Sequence, residues 1–232
     1  MPRLDESRHA LIAALDAHQG PSPGPGRRPF DDAANLFEAV ASVALGLVAR
    51  PPLDSRAFDA LRDAGLLRPG ALAGADPREL EDVLKQAGVR LVSKALRPLQ
   101  KLARWAAGRD FEDRDAPGLA TESLRDEWRA INGVGPVLAD TLLLFAMGRP
   151  VYPVDRATYR ILARHGWLDP SSDYEEARSV AESIAPDDPK TLARLSPALV
   201  RLGHDFCKLA VARCDRCPLR PFLPEGGPRE VG

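Results

Sequence analysis

The chain has little net charge, few cysteines and no long apolar run. Lysine and arginine (32) nearly balance aspartate and glutamate (33), for a formal charge of -1, so no overall field points to a polyanionic partner, although a neutral total can still carry a local basic surface. No stretch reaches the roughly 18 consecutive apolar residues of a membrane span. The opening "MPRLDESRHALIAALDAHQG" mixes charges instead of leading a basic run into a cleavage site, so a secretory signal is not indicated and a cytoplasmic protein is expected. No internal repeat is evident, and the alternation of a β-rich protein is missing. With 232 residues the chain can still bury a substantial core, as one larger domain or two lobes.

What is present reads as helix after helix. Asp5 to Leu15 has helical potential, and "QGPSPGPGRRPFDD" breaks it with four prolines and three glycines, which suits a flexible connector. "AANLFEAVASVALGLV", ending at Val48, is nearly all apolar and reads as a buried central helix. In "DPRELEDVLKQAG", Asp76 is the expected N-cap, Pro77 the first helical residue and Glu79 the partner that can close a capping box. "SKALRPLQKLARWAAG" predicts a helix kinked or restarted near Pro98, and Thr121 the cap of "TESLRDEWRAI". The expected class is all-α. The expected organisation is an N-terminal helix and connector over 1–29, a helical core over 30–165, and C-terminal helices with a cysteine loop over 166–232 that packs with the N-terminal segment.

Asn132-Gly133-Val134-Gly135 separates two helical segments. Glycines there permit a sharp reversal and close approach by another molecule, and Val134 can tuck inward. Pro136 suits the first position of the next helix, whose free N–H groups can bind a phosphate oxygen. A turn that needs small residues only for packing is the alternative. Asp155, after the extended "VYPV", has the position of an N-cap; a cap at the mouth of a cleft also holds a carboxylate rigidly, where it can stabilise positive charge on a sugar or orient a water. Trp105, Trp128, Phe145, Tyr152 and Tyr159 are each core or pocket aromatics, with Tyr152 preferred for the pocket because it lies close to Asp155.

The three cysteines, Cys207, Cys214 and Cys217, are spaced x6 and x2. Clustering of this kind points to a metal or cluster more than to scattered core thiols or a disulfide.

The segment "LRDEWRAINGVGPVLADTLLLFAMGRPVYPVDRATYRIL" resembles the hairpin and catalytic-aspartate region of helix-hairpin-helix DNA glycosylases of the endonuclease III type. The similarity extends in helical order from about Phe30 to Cys217. It implies a two-lobed all-α fold, a hairpin (Asn132, Gly133, Val134, Gly135) that grips the backbone of double-stranded DNA, and a damaged nucleotide flipped out for excision. By that resemblance Asp155 is the catalytic aspartate, and Val137 stands where strand-cutting members carry lysine. Valine offers no nucleophile for a Schiff base, so excision by water is expected. Val48 stands where the family has a glutamine that probes the duplex, and can act as an apolar wedge. Ser42 is the best match to the acidic position of the adenine-removing branch, which argues against that branch. A damaged base that is already cationic, such as an alkylated purine, fits better.

The cysteines resemble the first three ligands of that family's iron–sulfur loop, with Leu223 at the fourth position. This implies a [4Fe–4S] cluster with a non-cysteine fourth ligand, a [3Fe–4S] cluster or a degenerate metal-free loop, with zinc as another metal option. His204, Asp205 and Glu225 are the nearby candidates for the missing ligand. The expected function is therefore that of a monofunctional glycosylase, a monomer in the cytoplasm associated with the nucleoid. The alternatives are a catalytically inactive damage-recognition protein on the same scaffold and a general helical interaction protein.

Overall fold

A computed structural model describes residues 4–19, 35–49, 53–91, 93–109, 111 and 120–230. The proline- and glycine-rich connector lies outside the described residues. These form eleven α-helices, and the only β-type pairing among them is an isolated bridge between Cys207 and Ala212. The fold is all-α, as the periodicity requires. No helix among the described residues is long and apolar enough to cross a membrane.

The chain divides into two compact units. In the unit Arg27–Met147, α2 (Leu36–Val48) forms the centre, with Leu36, Phe37, Val40 and Leu45 at most 3% exposed. Around it lie α3 (Leu53–Asp63), α4 (Pro69–Gly74), α5 (Pro77–Gln86), α6 (Ser93–Ala106), α7 (Thr121–Arg129) and α8 (Pro136–Phe145). Helices α3, α6 and α8 pack on α2 because it is apolar all round. Asn35 caps α2 by accepting from Glu38 N–H at 2.9 Å, and Asp76 caps α5 through Arg78 N–H at 2.7 Å. Two expectations change. Helix α6 runs on past Pro98 without a second start, and Thr121 is the first residue of α7, with Ala120 at the cap and no side-chain cap bond. Gln100 ties α6 to the end of α4, donating from Nε2 to the carbonyls of Leu72 and Ala75 at 3.3 and 3.1 Å.

The second unit joins Met1–Gly26 to Gly148–Gly232. It holds α1 (Leu4–Gln19), α9 (Arg156–Arg164), α10 (Tyr174–Glu182) and α11 (Pro189–Asp205). Helix α1 buries Leu11 and Leu15 and packs on α11, where Arg194 pairs with Asp16 at 2.9 Å. Helices α9 and α11 meet so closely that a Cβ on Gly203 would stand 2.5 Å from Cβ of Ala157. Glycine is required there for space. Asp173 starts α10 with a complete capping box closed by Glu176.

Candidate active site and thiol centre

The hairpin is built by two helices and a buried ion pair. Arg125 on α7 donates to both carboxylate oxygens of Asp140 on α8, at 2.5 Å from Nε and 3.1 Å from Nη2, and the two side chains are 2% and 0% exposed. A bidentate guanidinium–carboxylate pair fixes orientation as well as distance, so it sets the angle at which the helices leave the turn. Within the turn, Gly133 takes φ +97°, a region that a side chain would strain, whereas Gly135 has φ -77° and open space where a Cβ would stand. Val134 is 2% exposed and anchors the turn inward, while Asn132, Gly133 and Gly135 are exposed. Lys101 Nζ donates to the Asn132 carbonyl at 2.7 Å. Among the described residues no side chain caps α8, and Pro136 at its first position lacks an N–H. Val137 is 40% exposed on that first turn.

Val48 lies in the same unit, at the C-terminal end of α2, exposed beside Leu47.

Asp155, Tyr152 and the cysteines belong to the other unit. Asp155 caps α9: its Oδ1 accepts from Thr158 N–H at 2.8 Å, and Oδ2 makes no hydrogen bond among the described residues. The extended approach to it is clamped from α10. Tyr152 N–H donates to Glu182 Oε1 at 3.0 Å, and Val154 N–H donates to the Tyr174 hydroxyl at 3.3 Å. Tyr152 itself is fully buried with its hydroxyl 3.4 Å from Thr158 Oγ1. Burial first, and the nearby Asp155 carboxylate as a lesser cause, hold its phenol well above the usual range, so it stays neutral. A base could stack on Tyr152 only after it is uncovered; in this structure it braces the aspartate segment. Trp105, Phe111 and Trp128 form an edge-to-face core cluster with centroids 5.2 to 6.1 Å apart, and the Tyr159 hydroxyl binds the carbonyls of Pro170 and Ser172.

Cys207, Cys214 and Cys217 line one partly open pocket, together with Arg164, His165, Leu202, Phe206, Arg220 and Leu223. Arg164 donates from Nη1 to Cys207 Sγ at 3.3 Å and to the Lys208 carbonyl at 2.7 Å, and from Nη2 to the Leu209 carbonyl at 3.0 Å. A buried guanidinium thus ties the loop together and places positive charge beside Cys207. Burial raises the Cys214 and Cys217 thiols, with neighbouring thiols adding to the effect. Arg213, Arg216 and Arg220 are exposed on the same loop.

The chain is 30% identical over 168 residues to a protein of Methanocaldococcus jannaschii assigned as a DNA repair glycosylase, covering 72% of this chain and 76% of that one. It is 25% identical over 190 residues to an endonuclease III of Sulfolobus acidocaldarius, covering 81% of each. A thermostable thymine-DNA glycosylase shares the fold at a TM-score of 0.64 with 14% identity, over 94% of this chain and 95% of that one. A trapped endonuclease III–DNA intermediate does so at 0.63 with 22% identity, over 94% and 96%. No model of a protein family matches the sequence. The chain belongs to the helix-hairpin-helix DNA glycosylases of the endonuclease III type.

Sequence reasoning missed Arg125, Asp140, Arg164, Tyr174 and Glu182. Asp140 carried a signal: a carboxylate inside "PVLADTLLLF" has to find a buried partner. The others look like ordinary helix-surface residues until the fold supplies their partners.

Proposed function

We propose that the protein is a monofunctional glycosylase that hydrolyses the N-glycosidic bond of a damaged, alkylated base in double-stranded DNA, acting as a monomer. The observation that carries this reading is Val137: its place just past the hairpin is exposed, as a substrate-facing position must be, yet it bears no amine. Without a nucleophilic side chain there, water adds to the sugar carbon, the glycosidic electron pair leaves with the base, and the water's proton passes to solvent. An alkylated purine departs as a neutral base, so no acid is needed to protonate it. Asp155 stabilises the positive charge on the sugar, with Oδ1 spent on the helix cap and Oδ2 left for the substrate. The exposed N–H groups at Gly133, Gly135 and the start of α8 grip phosphate, and Val48 is the apolar wedge.

Cys207, Cys214 and Cys217 would hold an iron–sulfur cluster; the reading is supported by three thiols lining one pocket with a guanidinium beside one of them. Bound there, the cluster supplies a structural brace. The loop around it presents Arg213, Arg216 and Arg220 toward solvent, where they suit a DNA backbone. A second reading, a silent damage-binding protein, is favoured by valine at 48 and 137 and leucine at 223. Incubation with duplexes that each carry one damaged base, followed by hot alkali, separates the two: a glycosylase leaves alkali-labile abasic sites, and a silent binder leaves none.

A further inference from the structure

Cys207, Cys214 and Cys217 line one pocket. Among the described residues no group of three or more His, Cys, Asp or Glu side chains is placed to hold a single metal ion. A mononuclear zinc site needs thiolates at about 2.3 Å from one centre. Three thiols that line one shared pocket suit a polynuclear group, in which each sulfur binds a different iron.

The rest of the lining decides what the fourth iron meets. Leu223 and Phe206 have no ligating atom, and Arg164 is a cation. His165 is the other ligating type in the lining, and both its ring nitrogens are already turned to carbonyls, Nδ1 at 2.8 Å from Ile161 and Nε2 at 3.2 Å from Leu219. The candidates nearby in sequence do not line the cavity: His204 is 84% exposed and pairs with Asp205 at 3.1 Å, and Glu225 is exposed.

We infer that the cluster is held by three protein thiolates alone, and that its fourth iron takes a small exogenous ligand, a water-derived oxygen or a soluble thiolate. This rests on the cluster reading above. The fourth iron is then labile. When the four-iron cluster gives up one ferrous ion and passes one electron to a one-electron oxidant, a three-iron cluster remains with its sulfides and its three cysteine ligands unchanged. Ferrous ion and one electron from a reductant restore it.

The test uses the whole protein, reconstituted anaerobically with ferrous iron and sulfide and then treated with ferricyanide. The wild type should lose one iron per cluster and gain the electron paramagnetic resonance signal of an oxidised three-iron cluster, and ferrous iron with dithionite should reverse both. Leu223→Cys supplies the missing thiolate and should keep its iron and stay silent under the same treatment. A wild-type cluster that retains all its iron and shows no signal overturns the open corner but keeps the cluster. Protein that takes up no iron, or binds zinc in its place, overturns both. These readouts do not depend on base excision, so a failure of the glycosylase reading is seen separately.

Discussion

Glu182 on α10 accepts a hydrogen bond of 3.0 Å from the backbone N–H of Tyr152, three residues before Asp155. Together with the Tyr174 hydroxyl on Val154 N–H, it fixes the extended segment that leads to Asp155. Glu182 also pairs with Arg178 at 3.5 Å. Glu182→Gln keeps an acceptor for Tyr152 and loses the ion pair, whereas Glu182→Ala loses both. The alanine variant should slow single-turnover excision by up to about 10²-fold through misplacement of Asp155, the glutamine variant should restore most of the rate, and DNA affinity should change in neither. Equal rates in both variants would remove the clamp from the account.

The Arg125–Asp140 pair predicts a stability effect. Asp140→Asn removes the buried one of the two carboxylates beside Arg125 and leaves only Glu122, 60% exposed at 3.7 Å, which should destabilise the protein by up to about 3–5 kcal/mol in chemical unfolding. Arg125→Leu combined with Asp140→Leu should recover much of that loss, because an apolar pair has no charge to desolvate. A double variant as unstable as the single one contradicts this.

At the hairpin the two glycines should behave differently. Gly133→Ala strains a backbone at φ +97° and should lower stability. Gly135→Val meets open space and should leave stability unchanged while weakening damaged and undamaged duplexes alike, with the salt-dependence slope reduced by about 1. Unchanged affinity in a folded Gly135→Val protein would take the phosphate away from this turn.

Much of this was legible in the sequence because its signals are local. The apolar run of α2, the Asp76 and Asp155 caps and the "NGVG" turn each depend on residues a few positions apart, and the cysteines share one short loop. The contacts that make the site rigid are not local: Tyr152 and Glu182 are 30 residues apart, Arg125 and Asp140 are 15, and Arg164 and Cys207 are 43. Helix α4 escaped notice because "PGALAG" is too short and too rich in glycine to show a period. Of the kink or restart that Pro98 suggests, the restart does not occur: α6 continues past it, with Leu96, Leu99 and Leu102 buried.

Asp155→Asn retains the oxygen that accepts from Thr158 N–H and removes the charge. Folding and DNA affinity should hold, and excision should fall on the order of 10²- to 10³-fold. Asp155→Ala would confuse the result by removing a cap worth about 0.5–2 kcal/mol. Normal excision by the asparagine variant would exclude this carboxylate from the chemistry.

The central claim is base excision without covalent lyase chemistry, and one measurement addresses it most directly. Wild-type protein is incubated with duplexes each bearing a single alkylated purine, with and without borohydride, and the strands are resolved before and after hot alkali. Strand breaks that appear only after alkali, with no borohydride-trapped protein–DNA adduct, are the predicted result. A trapped adduct, or intact strands after alkali for every lesion, would contradict it.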